Sequence, residues 1–102
     1  MNKRTKATSI SRSVKKIVWE RDNHCCIFCG KPLPMNMACV HFISRANGGL
    51  GIEQNIITGC MDCHRNLDQS ISRKSMLIFV SNYLNKFYPN FNDNDRKYKK
   101  GN

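Results

Sequence analysis

The sequence predicts a small α+β domain that depends on a staple, with one helix ahead of the strands and a longer helix behind them. Three observations predict it. The chain has 102 residues, room for one domain, and a chain of this length buries only about two-thirds of its unfolded surface. It carries six cysteines, four of them in two Cys-x2-Cys pairs, and small domains with marginal cores are commonly held by disulfides, metals or partners. Two short apolar segments suited to strands lie between stretches with helical spacing.

Taken in order, residues 1–11 read as a disordered basic arm. They hold Lys3, Arg4 and Lys6, little apolar content and no periodicity. Residues 12–88 read as the single folded domain. Val14, Ile17 and Val18 fall at i, i+3 and i+4, so Ser11 to Asp22 forms an amphipathic helix, with Ser11 or Ser13 to cap it and Arg12, Lys15 and Lys16 on its outer face. Cys26-Ile27-Phe28-Cys29-Gly30, followed by Pro32 and Pro34, is a tight knuckle. Ala38 to Ser44 fits a strand, the loop after it holds Gly48, Gly49 and Gly51, and Asn55 to Thr58 fits a second strand. Cys60-Met61-Asp62-Cys63 is the second knuckle, with Asp62 suited to the first turn of a helix from Met61 to Gln69. Met76, Leu77, Phe79, Val80, Tyr83, Leu84 and Phe87 follow helical spacing, so Ser72 to Phe87 is the longest helix, and Pro89 ends it. Residues 89–102, Asn-rich and charged, read as a disordered polar tail.

Seventeen Lys and Arg stand against seven Asp and Glu, a net charge of +10. That balance favours a polyanionic partner, nucleic acid above all, and argues against acidic small molecules as the main ligand. On charge alone a membrane surface stays open. No apolar run approaches the ~20 residues of a membrane span, and the basic N-terminus lacks the apolar stretch of a signal peptide. An intracellular protein is expected, and in a reducing compartment cysteines serve more often as metal ligands or catalytic groups than as disulfides.

Cys26 and Cys29, with Cys60 and Cys63, make a Cys-x2-Cys…Cys-x2-Cys set with 30 residues between the pairs. Two intervening residues let one turn present both thiolates to a single ion, and tetrahedral zinc takes four soft ligands at about 2.3 Å. Structural zinc is the reading the spacing favours; disulfides or free thiols are the alternative. Cys25 fits the spacing less well than Cys26, and Cys39 reads as a small buried apolar residue.

His41, Asn55 and His64 each have an ordinary reading: a packed strand histidine, a turn residue and a surface imidazole paired with Asp68 one turn later. Together they read differently. Val40-His41-Phe42-Ile43-Ser44-Arg45-Ala46-Asn47-Gly48-Gly49, then Asn55, then Cys60-Met61-Asp62-Cys63-His64, resembles the HNH endonuclease family, and most of all its small stand-alone phage and prophage members. Val18-Trp19-Glu20-Arg21-Asp22 ahead of the first knuckle resembles that family's lead-in, and the resemblance covers residues 13–70.

The resemblance implies a ββα-metal fold gripping one divalent cation, Mg2+ or Mn2+, and a hydrolase that cuts DNA phosphodiester bonds. It makes His41 the general base, Asn55 the residue that holds the hairpin loop, and His64 the metal ligand, with Asp68 in the place of a second ligand. Arg45 is a candidate phosphate contact, and Arg12, Lys15 and Lys16 are further DNA-binding candidates. DNA is the implied partner, a membrane is not, and a homodimer or a phage protein partner stays open, in the cytoplasm of a bacterial host. Two positions depart from the family. Val40 stands where many members carry a metal-binding Asp or His, so Val40→Asp is expected to tighten the divalent-ion requirement, and Ser44 stands where many carry Pro. Val40 keeps a second reading in view: a weak or inactive zinc-stabilised nucleic-acid-binding module.

Overall fold

A computed structural model describes residues 2–99. The order is α1 (Lys3–Thr8), α2 (Arg12–Arg21), β1 (Val40–His41), β2 (Ile56–Ile57), α3 (Met61–Gln69) and α4 (Arg73–Phe87), with 3-10 turns at Met35–Met37, Arg45–Asn47 and Asp93–Arg96. It is an α+β arrangement: an antiparallel hairpin followed at once by a helix. Val40 pairs with Ile57 and His41 with Ile56.

Both strands are shorter than the apolar runs suggest: at one end Thr58 bonds Asp22 and Ile27 instead of β1, and at the other Asn55 interrupts the ladder. Phe42 N–H still bonds the Asn55 carbonyl (2.8 Å), but the next amide, Ile43 N–H, donates to the Asn55 side-chain oxygen instead (2.9 Å). The ladder thus passes from main chain to side chain one residue beyond the hairpin pair.

Successive strand residues face opposite sides, and the core divides accordingly. Val40 and Ile57 pack with Leu67 of α3 and Val80 and Leu84 of α4. Ile56 packs on the other side with Val18 of α2 and Ala38. The α2 helix starts where its cap and spacing predict, with Ser11 accepting the Val14 N–H (3.2 Å), but Ile17 is exposed. Trp19 turns instead against the first knuckle, stacking on His24 with ring centroids 3.5 Å apart and donating to the Leu33 carbonyl (2.7 Å).

A buried ion pair ties α2 to the hairpin and α4. Asp22 accepts from Arg21 Nε (2.8 Å) and Tyr83 OH (2.6 Å) on one oxygen, and from Arg21 Nη2 (3.1 Å) and Thr58 N–H (2.8 Å) on the other. Arg21 continues to the carbonyls of Glu53 and Ile56 and lies over the rings of Tyr83, Phe87 and Tyr88.

The chain departs from the expected disorder at both ends. Lys3–Thr8 is a helix capped by Asn2, whose side chain accepts the Thr5 N–H (2.7 Å), and Thr8 is buried. Arg4 holds the carbonyls of Arg45 (3.2 Å) and Ala46 (2.8 Å), and Gly51 N–H bonds the Ala7 carbonyl (3.0 Å). A side chain at position 51 would strike the Ser9 carbonyl, so only glycine admits this approach. At the other end Arg96 is buried and the segment bonds to Gly48 and Leu50. These segments are held by main-chain bonds and two arginines, to which an apolar count is blind. Met1 and residues 100–102, including Lys100 of the expected basic tail, lie outside the described residues.

Removing one partner of a buried ion pair leaves the other charge uncompensated, at about 3–5 kcal/mol. Asp22→Ala is expected to lower unfolding stability by that order in urea titration, and a loss below about 1 kcal/mol would mean the pair does not tie the elements together.

Candidate functional site

Two side-chain groups stand out, and α3 joins them. The first is Cys26, Cys29, Cys60 and Cys63, whose sulfurs all lie within 4.8 Å of one another. The first knuckle closes with Gly30 N–H on the Cys26 carbonyl (2.9 Å), with Gly30 at a φ of 77°. In the second, Cys60 caps α3, its sulfur accepting the Cys63 N–H (3.4 Å). Cys29 and Cys60 sulfurs are 3.8 Å apart. That separation exceeds the ~2.05 Å of a disulfide and suits four thiolates at about 2.3 Å from a central ion. Burial opposes ionisation of Cys26, but main-chain N–H groups of Cys29, Cys60 and Phe28 outweigh it and bring its pKa to about 7. The four thiols can hold a structural metal such as zinc. Cys25 stays out of the cluster, its main chain bridged to Pro32.

The second group lines a cleft of about 540 Å³ that contains His41, His64, Asp68, Arg45 and Lys15. The outward position of β1 supplies His41. Its Nε2 lies 2.9 Å from the Thr8 carbonyl. A carbonyl only accepts, so neutral His41 carries its proton on Nε2 and leaves the Nδ1 lone pair free. Burial lowers the His41 pKa; the charges of Arg45 and His64 act the same way, and the Thr8 bond opposes them. On α3, His64 Nε2 and Asp68 Oδ2 are 3.5 Å apart and both half-exposed. One imidazole and one carboxylate fit a divalent ion in donor type, and at this separation they equally form an i, i+4 ion pair.

Asn55 does not line the cleft. It is fully buried behind it. Its amide nitrogen donates to the carbonyls of Ile43 (3.1 Å) and Leu50 (2.9 Å), which closes the loop that carries Arg45. Arg45 reaches Ser9 Oγ (3.4 Å). Arg12 and Lys16 line a separate cleft with Met35, so of the α2 cations only Lys15 meets His41.

Sequence reasoning missed the Thr8 carbonyl and the Ser9-Ile10 wall of the cleft. The signals that could have found them are the Asn2 cap and Gly51. Cys39 is half-buried in the cleft wall rather than part of the core. Val40 requires a larger correction. Its side chain is wholly buried among Ile57, Leu67, Val80 and Leu84, on the face opposite His41. A carboxylate there would enter the core and not the His41 cleft.

Comparison with protein-family models, with curated proteins and with solved structures found no match for this chain. Among the described residues no helix is long and apolar enough to cross a membrane.

The thiol cluster predicts about one tightly bound zinc per chain, with Cys60→Ser or Cys63→Ser losing both zinc and cooperative unfolding, since metal binding contributes folding free energy directly. Elemental analysis that finds no zinc in folded protein would exclude it. For Val40→Asp, the expected result is a fall in melting temperature with no gain in affinity for Mg2+ or Mn2+, because a buried unpaired carboxylate is strongly unfavourable.

Proposed function

We propose that the chain is a metal-dependent DNA endonuclease of HNH type, with His41 as general base. The observation that carries this reading is the convergence of His41, His64, Asp68, Arg45 and Lys15 on one cleft, with Asn55 buried behind it and tying the loop. A packed structural histidine does not need a neutral ring with a free nitrogen, a facing imidazole–carboxylate pair and two cations together.

The reaction assigned to the cleft is phosphodiester hydrolysis. His41 Nδ1 takes a proton from water, the water oxygen bonds to phosphorus, and the bond from phosphorus to the 3′ oxygen breaks. The departing oxygen takes its proton from solvent. A lowered pKa keeps His41 unprotonated near neutral pH, the state a general base requires. Arg45 and Lys15 hold phosphate oxygens and offset the charge that builds during attack. His64 and Asp68 would hold the divalent ion, which when bound supplies charge neutralisation at the phosphate and the leaving oxygen. Affinity comes mainly from phosphate contacts, in keeping with the net charge of +10.

One observation favours the alternative, a nucleic-acid-binding module with little activity. Among the described residues the four-cysteine cluster is the only group of three or more metal-binding side chains, so His64 and Asp68 stand as a pair without a third protein ligand.

Plasmid nicking with and without Mg2+ or Mn2+ separates the two readings. His41→Ala is expected to reduce the rate by about 10²–10⁴, with zinc content, melting temperature and DNA binding unchanged. His64→Ala is expected to abolish nicking, with partial recovery in excess Mn2+. Full activity in folded His41→Ala would remove the mechanism.

The pH profile gives an independent check. Protonation of His41 inactivates the base, and its folded pKa lies below the ordinary value of about 6.5. The kcat/KM, which reports the free protein, should therefore rise with pH along an acid limb whose midpoint falls below about 6.5 and then level off. A midpoint above that value would assign the base elsewhere.

A further inference from the structure

A second cleft, of about 440 Å³, opens on the far side of the turn at residues 44–47 and is lined by Phe42, Ser44, Asn47, Arg73, Asp93 and Lys97. Ser44 also lines the His41 cleft, so the two adjoin across one residue. Arg73, the first residue of α4, and Lys97, just past the last 3-10 turn, are both exposed. Among the described residues neither has a carboxylate within 4.0 Å. The acid in the cleft, Asp93, is already taken by Arg96 Nη1 (2.9 Å).

The position of Lys97 is built rather than incidental. Its main chain bridges to Gly49, with Leu50 N–H on the Arg96 carbonyl (2.8 Å) and Tyr98 N–H on the Gly48 carbonyl (2.7 Å). Arg96, only 2% exposed, donates through Nε to the Gln54 carbonyl (2.6 Å) and lies over the rings of Phe42 and Phe91. This anchor holds against a cost, since burial leaves Arg96 Nη2 without a partner among the described residues. The segment that carries Lys97 is thereby fixed to the same loop that carries Arg45.

We propose that this second cleft holds the sugar-phosphate backbone of the nucleic-acid strand that occupies the His41 cleft, with Arg73 and Lys97 each meeting one phosphate. The Ser44 hydroxyl and Asn47 amide supply neutral donors, and Phe42 supplies an apolar wall for sugar or base. Beside the aliphatic Ile43 and Leu77 and the Arg96-paired Asp93, the cleft offers two cations, short polar side chains and one aromatic ring, the chemistry that a nucleotide chain calls for. The assignment rests on the nuclease reading for the strand's identity, but its test reads binding and not cutting.

The test uses the full chain in a His41→Ala background without divalent ion, with fluorescence anisotropy of a short labelled DNA duplex across a salt series. Arg73→Gln with Lys97→Gln is expected to weaken binding at least about tenfold and to lower the slope of log affinity on log salt by about 2, one for each phosphate deprived of its cation. Lys74→Gln with Lys86→Gln removes the same charge from α4 residues that line neither cleft, and is expected to change the slope by less than half as much. An unchanged affinity in the first pair, or an equal effect in the second, overturns the proposal. Inorganic phosphate, compared with chloride at equal ionic strength, distinguishes a free-anion site: selective displacement of DNA from the parent protein and not from the Arg73, Lys97 pair is expected if both ligands share the cleft, whereas phosphate that binds through Arg73 and Lys97 without displacing DNA would assign the cleft to free phosphate and overturn the strand assignment. Wild-type protein that binds DNA but never nicks it overturns the nuclease reading alone, whereas one that binds no DNA overturns both.

Discussion

The Asn55 amide is the point on which the arrangement of the clefts depends. It is completely buried and makes three hydrogen bonds to the loop between the strands, two to Ile43 and one to Leu50. That loop is the platform for everything around it. Arg45 rides on it, Arg4 and Ala7 bind α1 to it, and Arg96 and Tyr98 bind the C-terminal segment to it. A two-residue strand pair has too few ladder bonds to define so long a connection. A side chain that mimics a third strand residue supplies the missing definition, and burial strengthens each of those bonds by excluding competing water.

Local and non-local bonding separate what was legible in the sequence from what was not. The α2, α3 and α4 helices fall within a residue of their expected bounds, because caps and apolar spacing are local signals. The four cysteines also meet as spacing alone suggests, since each pair needs only one turn. The ends of the chain were illegible for a physical reason. Residues 3–8 and 93–98 bury little apolar area and are held through N–H and C=O groups that nearly every residue possesses. The arginines that anchor them, Arg4 and Arg96, look in sequence like any other surface charge.

Ordering those ends changes how the positive charge works. A flexible basic arm attracts phosphate without regard to direction, and each contact must first immobilise a long side chain. Lys97, and the Thr8 carbonyl that sets the His41 tautomer, are instead placed by main-chain bonds before any ligand arrives. Under the nuclease reading, the cost of ordering these segments falls on folding and not on binding, and the base meets substrate with its proton already on the nitrogen away from the reaction.

Strand parity sets a limit on the metal site proposed at His64 and Asp68. Neighbouring residues of β1 must face opposite sides, so placing His41 toward the cleft sends position 40 into the core. With only two residues in the strand there is no room for a bulge to turn both outward. Valine therefore satisfies the packing demand of Ile57, Leu67, Val80 and Leu84, and no ligand can be added at position 40 without opening that core. Any further protein donor to an ion on His64 and Asp68 must come from outside β1. Within the cleft wall the remaining side chains are Ser9, Lys15, Cys39, Ser44, Arg45 and Ile10, a set with hydroxyls and a thiol but no second carboxylate. Under the nuclease reading, an ion in this cleft would complete its shell largely with water and with phosphate oxygens of the substrate, which would tie its occupancy to the presence of substrate.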